Sequence, residues 1–196
     1  MSRPMSAIDK LAAGKHLEAF LRAVGAPLDA DPELRGTGAR VADAWVDELL
    51  SGYAADPASI LADGTDSSST GLVLLADIPA TTMCPHHLLP ASGRVHVGYW
   101  PGPRVVGFGA LARLVECYTR RLALQEDIAR TIADALVEHL GAEAAGVVVD
   151  LVPSCLTARG ERPHGAHAIT TAFTGRARED AALRSELLLS LRASRG

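Results

Sequence analysis

The order of periodicities in the second half of the chain constrains its fold most. Two strand-like runs, residues 72–83 and 94–100, are separated by only a short turn. Two helical runs follow, residues 111–122 and 124–140, then two more strand-like runs, 146–156 and 166–173, and a closing helical run, 181–191. In the second run Val95, Val97 and Tyr99 alternate with Arg94, His96 and Gly98, which predicts a half-buried strand with His96 on its polar face. Pro79 interrupts the first run and marks an edge strand or a bulge. Ile128, Ile132, Leu136 and Leu140 recur at i+4, the stripe of a buried helix face, closed by Gly141. The 146–156 run is apolar enough to be buried on both faces. Strand, strand, helix, helix, strand, strand is not a βαβ alternation. It predicts an α+β fold: an antiparallel sheet with two helices between the second and third strands, the helices grouped to one side.

The N-terminal part reads as a helical appendage. Leu11, Leu17, Phe20, Leu21 and Val24 recur at three-to-four spacing, giving a helix over residues 7–24 that Gly25-Ala26-Pro27 stops. Asp31 can cap a second helix with Pro32 at its first position. That helix breaks near Gly36-Thr37-Gly38 and resumes with a stripe of Val41, Trp45, Val46, Leu49 and Leu50. Arg40, at the start of the resumed part, is either a solvated charge or an anion-binding arm. Residues 53–70, rich in Ala, Asp, Ser and Gly, read as a mobile surface segment with a short turn near Ser59. The expected division is therefore residues 1–70, N-terminal helices and mobile segment, and residues 71–196, the main domain.

Composition excludes several functions. A net charge of −4 argues against sequence-independent nucleic-acid binding. No apolar run is long enough to cross a bilayer, and the first ten residues lack the apolar core of a secretion signal. Three cysteines do not make a disulfide framework, so the expected location is cytoplasmic.

The chemistry concentrates in Cys84-Pro85-His86-His87, a thiol and two imidazoles on a turn between strand-like runs. Cys155, at the end of the third strand-like run, is a further candidate partner. Thiolate and imidazole suit Zn²⁺, and two Cys plus one His leave a tetrahedral ion one open position. Spacing alone is equally compatible with a buried thiol beside two surface histidines. Cys117, in a helical apolar stretch, reads as a core residue. Gln125 and Glu126 lie in the first turn of a helix, where a carboxylate suits the positive end. Neither an H-E-x-x-H protease motif nor the zinc-deaminase signature is present.

Several stretches together resemble the GTP cyclohydrolase I family. They are Cys84-Pro85-His86-His87-Leu88-Leu89-Pro90, Gly93-Arg94-Val95-His96-Val97-Gly98-Tyr99, Leu111-Ala112-Arg113-Leu114-Val115-Glu116, Leu124-Gln125-Glu126 and Cys155-Leu156-Thr157-Ala158-Arg159-Gly160. The resemblance runs from about Thr37 to the C-terminus. It implies the tunnelling fold for residues 71–196 and a homo-oligomer, a decamer of stacked pentamers with active sites at subunit interfaces. It implies Zn²⁺ on Cys84, His87 and Cys155, with His86 as the catalytic acid/base. It implies Gln125 and Glu126 as the guanine anchor and Arg40, Arg113 and Arg159 as phosphate-binding residues. The chemistry agrees. Zn²⁺ lowers the pKa of bound water from 15.7 to roughly 7, so an attacking oxygen is available at neutral pH for C8 of guanine. Imidazole titrates near the working pH and can protonate the departing ring nitrogen. A carboxylate can accept from guanine N1–H and amino groups together, and adenine would leave it unpaired.

The sequence departs from the family pattern at motif positions. Pro153 stands where a second acid/base His is expected, Gly109-Ala110 where Ser-Lys is expected, and Pro85 where a Glu is expected. Imidazole opening needs metal, water, a guanine anchor and one proton donor, all retained. The later ribose rearrangement and ring closure move protons on the sugar, and the missing groups fall there. The expectation is a zinc-dependent hydrolase that opens the imidazole ring of GTP or a related guanine nucleotide and stops at a formylamino- or diamino-pyrimidine. The alternatives are the full reaction to 7,8-dihydroneopterin triphosphate and formate, and a non-catalytic zinc-binding assembly subunit. The lost lysine also opens the number of phosphates on the substrate. His164 or His167 is a candidate replacement for the imidazole missing at Pro153.

Overall fold

A computed structural model describes residues 8–159 and 165–193. In chain order the helices are α1 (Lys10–Ala23), α2 (Thr37–Ala44), α3 (Pro57–Leu61), α4 (Phe108–Thr119), α5 (Gln125–Ala135), the short α6 (Ser154–Thr157) and α7 (Ala181–Ala193). The strands are β1 (Thr65–Asp66), β2 (Val73–Met83), β3 (Pro90–Trp100), β4 (Arg104–Val105), β5 (Ala144–Pro153) and β6 (Ala168–Gly175). Four of them form an antiparallel sheet in the order β2-β3-β5-β6, so the α+β reading holds.

The two central strands explain the layers. Val95, Val97 and Tyr99 of β3 and Val147, Val149 and Leu151 of β5 are fully buried against Leu111, Leu114, Ile128, Ile132 and Leu136 of α4, α5 and the π turn that extends α5. The opposite face is also covered, contrary to the expectation that the helices group on one side. Leu187 and Leu191 of α7 pack with Trp100, Ala144 and Val148. Gly98 and Gly146 face each other in the ladder, and a Cβ on either would come within 3 Å of Leu187 Cδ1. This cross-strand glycine pair is the slot that admits α7. His96 is accordingly fully buried, not on a polar face, and its Nδ1 accepts the Asp77 N–H at 2.9 Å.

The irregularity in β2 falls between Leu75 and Ile78, where Asp77 takes φ 57°, and Pro79 stays in register opposite Arg94. A proline is tolerated there because β2 is an edge strand, with one side free of ladder bonds.

In the N-terminal part Asp31 caps a single 3₁₀ turn, Pro32–Leu34, and α2 follows after Gly36. α1 and α2 cross where Gly38 meets the Gly14 carbonyl, too close for any side chain. The stripe foreseen at α1 is only partly buried: Leu11, Phe20 and Val24 are more than 60% exposed, while Leu17 and Leu21 are half-buried. The segment read as mobile and superficial is instead built in. Asp56 accepts from Ala58 N–H and Ser59 N–H to cap α3, and Leu61 enters the main core fully buried. β1 then pairs with β4.

Candidate functional site

Sheet register decides the site. Met83 pairs with Pro90, and Ala91 pairs with Pro153, so the β2–β3 turn and the end of β5 lie at the same end of the sheet. The turn is closed by Leu88 N–H donating to Cys84 O and Cys84 N–H donating to Leu89 O, both at 2.9 Å. Leu88 adopts φ 54°, the left-handed region an L residue seldom enters, to close it. Cys84 and His87 thereby face one point, with Sγ 3.7 Å from Nδ1. Cys155 sits on α6 immediately after β5, not on the strand itself as expected. The ligand atoms of Cys84, His87 and Cys155 all lie within 4.8 Å of one another. Two sulfurs and one imidazole nitrogen at such separations fit a tetrahedral zinc with ligand bonds of about 2.0–2.3 Å.

These three residues line an open pocket of about 260 Å³ together with His86, Gln125, Glu126, Pro153, Thr82, Ala91, Ala123 and Leu124. His86 is exposed, its ring edge-on to that of His87 at 6.2 Å. Glu126 is exposed at the first turn of α5 and makes no hydrogen bond or ion pair among the described residues. Gln125 differs. Its Nε2 donates to Val149 O at 2.9 Å and Ala168 O at 2.6 Å, so both amide hydrogens join β5 to β6 and only Oε1 stays open.

The arginines do not line this pocket of their own chain. Arg40 folds onto its own loop, donating to Glu33 O, Arg35 O and Thr37 Oγ1. Arg113 and Arg159 are exposed. α4 starts at Phe108, earlier than its apolar pattern suggests, so Gly109 and Ala110 fall inside its first turn. Gly109 lies beside the Arg113 guanidinium, and Ala110 is turned into the core.

Pro153 lines the pocket at the position of the absent imidazole. His167 does not line it: its Nδ1 is 2.9 Å from Asp150 Oδ1, and Asp150 points from β5 to the face opposite Val149 and Leu151. His164 lies outside the described residues. Cys117 is a core thiol, 1% exposed, and burial pushes its pKa up. A larger cavity of about 650 Å³ between Asp56 and His139 carries no thiol, and its Asp127 and Asp134 pair with Arg130. Periodicity gave no sign of Arg121, which is 9% exposed between the rings of Tyr53 and Tyr118. Burial pushes the Tyr118 phenol up to about 12. Thr82 was also missed; a hydroxyl two residues before the metal turn was the available signal.

No described helix is long and apolar enough to cross a membrane. Comparison with known proteins agrees with the geometry. The profile of GTP cyclohydrolase I matches residues 13–192. A relative named GTP cyclohydrolase 1 from Dehalococcoides mccartyi is 40% identical over 185 residues, covering 92% of this chain and 95% of the relative. One of the same name from Mycobacterium marinum is 41% identical over 176 residues, 87% of each chain. Among solved structures, the apo form of the archaeosine synthase QueF-Like aligns with a TM-score of 0.46 and 21% identity, over 55% of this chain and 97% of that one. With the profile spanning nearly the whole chain and the relatives matched almost end to end, the chain belongs to the GTP cyclohydrolase I family.

Proposed function

We propose that this hydrolase of the GTP cyclohydrolase class opens the imidazole ring of GTP, or of a related guanine nucleotide, at C8 and stops at a formylamino- or diamino-pyrimidine. The observation that carries this reading is the content of one pocket: a Cys84–His87–Cys155 ligand set, an exposed His86, an uncommitted Glu126 and a proline, Pro153, at the second acid/base position. Cys84, His87 and Cys155 hold zinc, which supplies the Lewis acidity that makes water nucleophilic at neutral pH. Glu126 accepts from guanine N1–H and the 2-amino group, while Gln125 sets the floor of the pocket and offers only its Oε1. His86 delivers a proton to the departing ring nitrogen.

The remainder of the family's reaction moves protons on the ribose. Pro153 has no side-chain proton to move, and Gly109 has no hydroxyl. A general acid–base group is worth about 10²–10⁴-fold, so its loss arrests the steps that depend on it. The phosphates fall to Arg40, Arg113 and Arg159. Since none of them lines the pocket of its own chain, a site completed by a neighbouring subunit in a homodecamer accommodates both them and the outward apolar residues of α1.

Incubation with GTP, read by mass spectrometry, tests the proposal. The expected product is the formylaminopyrimidine triphosphate, or the diaminopyrimidine with formate. Clean dihydroneopterin triphosphate would replace it with the complete reaction, and intact GTP beside stoichiometric zinc would favour an assembly subunit. GDP, GMP and guanosine in parallel read how far the loss of the lysine at Ala110 relaxes the demand for phosphates.

A further inference from the structure

We infer that Thr82 is a positioning residue that clips the metal turn to the loop bearing the guanine-facing carboxylate. The inference rests on the function proposed above, because it concerns the distance between the Cys84–His87 turn and Glu126.

The two segments reach the pocket from different elements, the end of β2 and the α4–α5 connection, with no covalent reason to stay in register. A short parallel bridge between Met83 and Leu122 joins them. Met83 N–H donates to Arg121 O at 3.3 Å, and Ala123 N–H donates to Met83 O at 3.2 Å. Thr82 Oγ1 adds a third bond, donating to the same Arg121 O at 3.2 Å. Thr82 and Met83 are each 3% exposed, so water does not compete for these bonds. The clip ends one residue before Cys84 and three residues before Glu126.

The far side of the clip is held as firmly. The Arg121 guanidinium donates to Gly52 O through Nε at 3.2 Å and Nη2 at 2.8 Å, and Nη2 also reaches Cys117 Sγ at 3.1 Å. The rings of Tyr53 and Tyr118 flank it, with centroids 5.4 and 5.0 Å from its central carbon. Gly52 N–H donates to Arg120 O, and a Cβ there would meet the Cys117 carbonyl at 2.5 Å, so only glycine allows this contact. The α4–α5 connection is thus anchored to the N-terminal part by the Arg121 side chain and to the metal turn by its carbonyl.

Thr82→Val tests the clip, because it removes one donor and keeps the volume. Arg121 O retains the Met83 N–H, so no buried acceptor is orphaned. With wild-type zinc stoichiometry and an unchanged melting temperature, kcat for GTP should fall roughly tenfold, within what a sub-ångström misplacement of reacting groups does. Preference for GTP over ITP, which lacks the 2-amino group, should fall several-fold, and Thr82→Ser should restore both. Wild-type kinetics and preference in Thr82→Val overturn the inference. So does a loss of zinc or of melting temperature that accounts for the drop, since the residue would then be merely structural. A wild-type protein that leaves GTP intact removes the functional reading and this inference with it, a result distinct from an active wild type with an indifferent Thr82→Val.

Discussion

Two regions of the sheet carry similar chemistry and have different standing. At one end of β2, β3 and β5 lie Cys84, His86, His87, Glu126 and Cys155. On the α7 face lie Asp77, Arg94, His96, Asp150 and His167. In the second group the polar atoms are answered: Arg94 pairs with Asp77 at 3.3 Å, His167 with Asp150 at 2.9 Å, and His96 Nδ1 takes the Asp77 N–H. In the first group, among the described residues, the side chains hydrogen-bond one another only where Cys84 Sγ approaches His87 Nδ1 at 3.7 Å. The difference teaches that an imidazole or carboxylate is a candidate for chemistry when its neighbours leave it uncommitted. Residue type alone does not separate a site from a structural network.

The contrast can be broken by substitution. Cys155→Ser should have the largest effect. On the proposed reading it removes one of the three residues that would hold zinc, and turnover of GTP should fall by roughly 10⁴-fold or more, because the water activation the metal would supply is lost with it. Elemental analysis and a formate assay on the same preparation read both, and full zinc with full turnover would dissolve the distinction. His86→Ala should come next, losing roughly 10²–10⁴-fold in kcat while keeping zinc, as expected for a proton donor that is not a ligand. Loss of zinc in that variant would make His86 part of the metal centre instead. His167→Ala should do least. Its partnership with Asp150 is exposed, so stability should drop by only about 0.2–1 kcal/mol in urea titration, with turnover nearly unchanged. A large kinetic loss there would move His167 from the structural face into the site and revive it as the replacement for the imidazole missing at Pro153.

Much of the site was readable because it is local. Cys84 and His87 share one turn, and three-residue spacing around a closed turn is enough to aim both at one point. Glu126 opens a helix, which sequence marks well. What sequence misplaced depended on distant partners. His96 alternates with valines as a polar-face residue should, yet α7, far downstream, covers that face through the Gly98–Gly146 slot. Sequence also gives no sign that both amide hydrogens of Gln125 are taken by carbonyls of β5 and β6, leaving only Oε1 open to the pocket. Nor does it show that the Arg40 guanidinium donates to carbonyls of its own loop.

The chain itself determined the α+β class, the antiparallel pairing of adjacent strands and the identity of the thiols and imidazoles. Those follow from side-chain period and short connections, which act over a few residues. The tertiary structure alone decided that Cys155 meets Cys84, that Pro153 occupies the pocket wall and that the residues around Arg121 hold two loops together. These depend on ladder register and on burial by elements remote in sequence, and no local pattern encodes which carbonyl a buried donor will find.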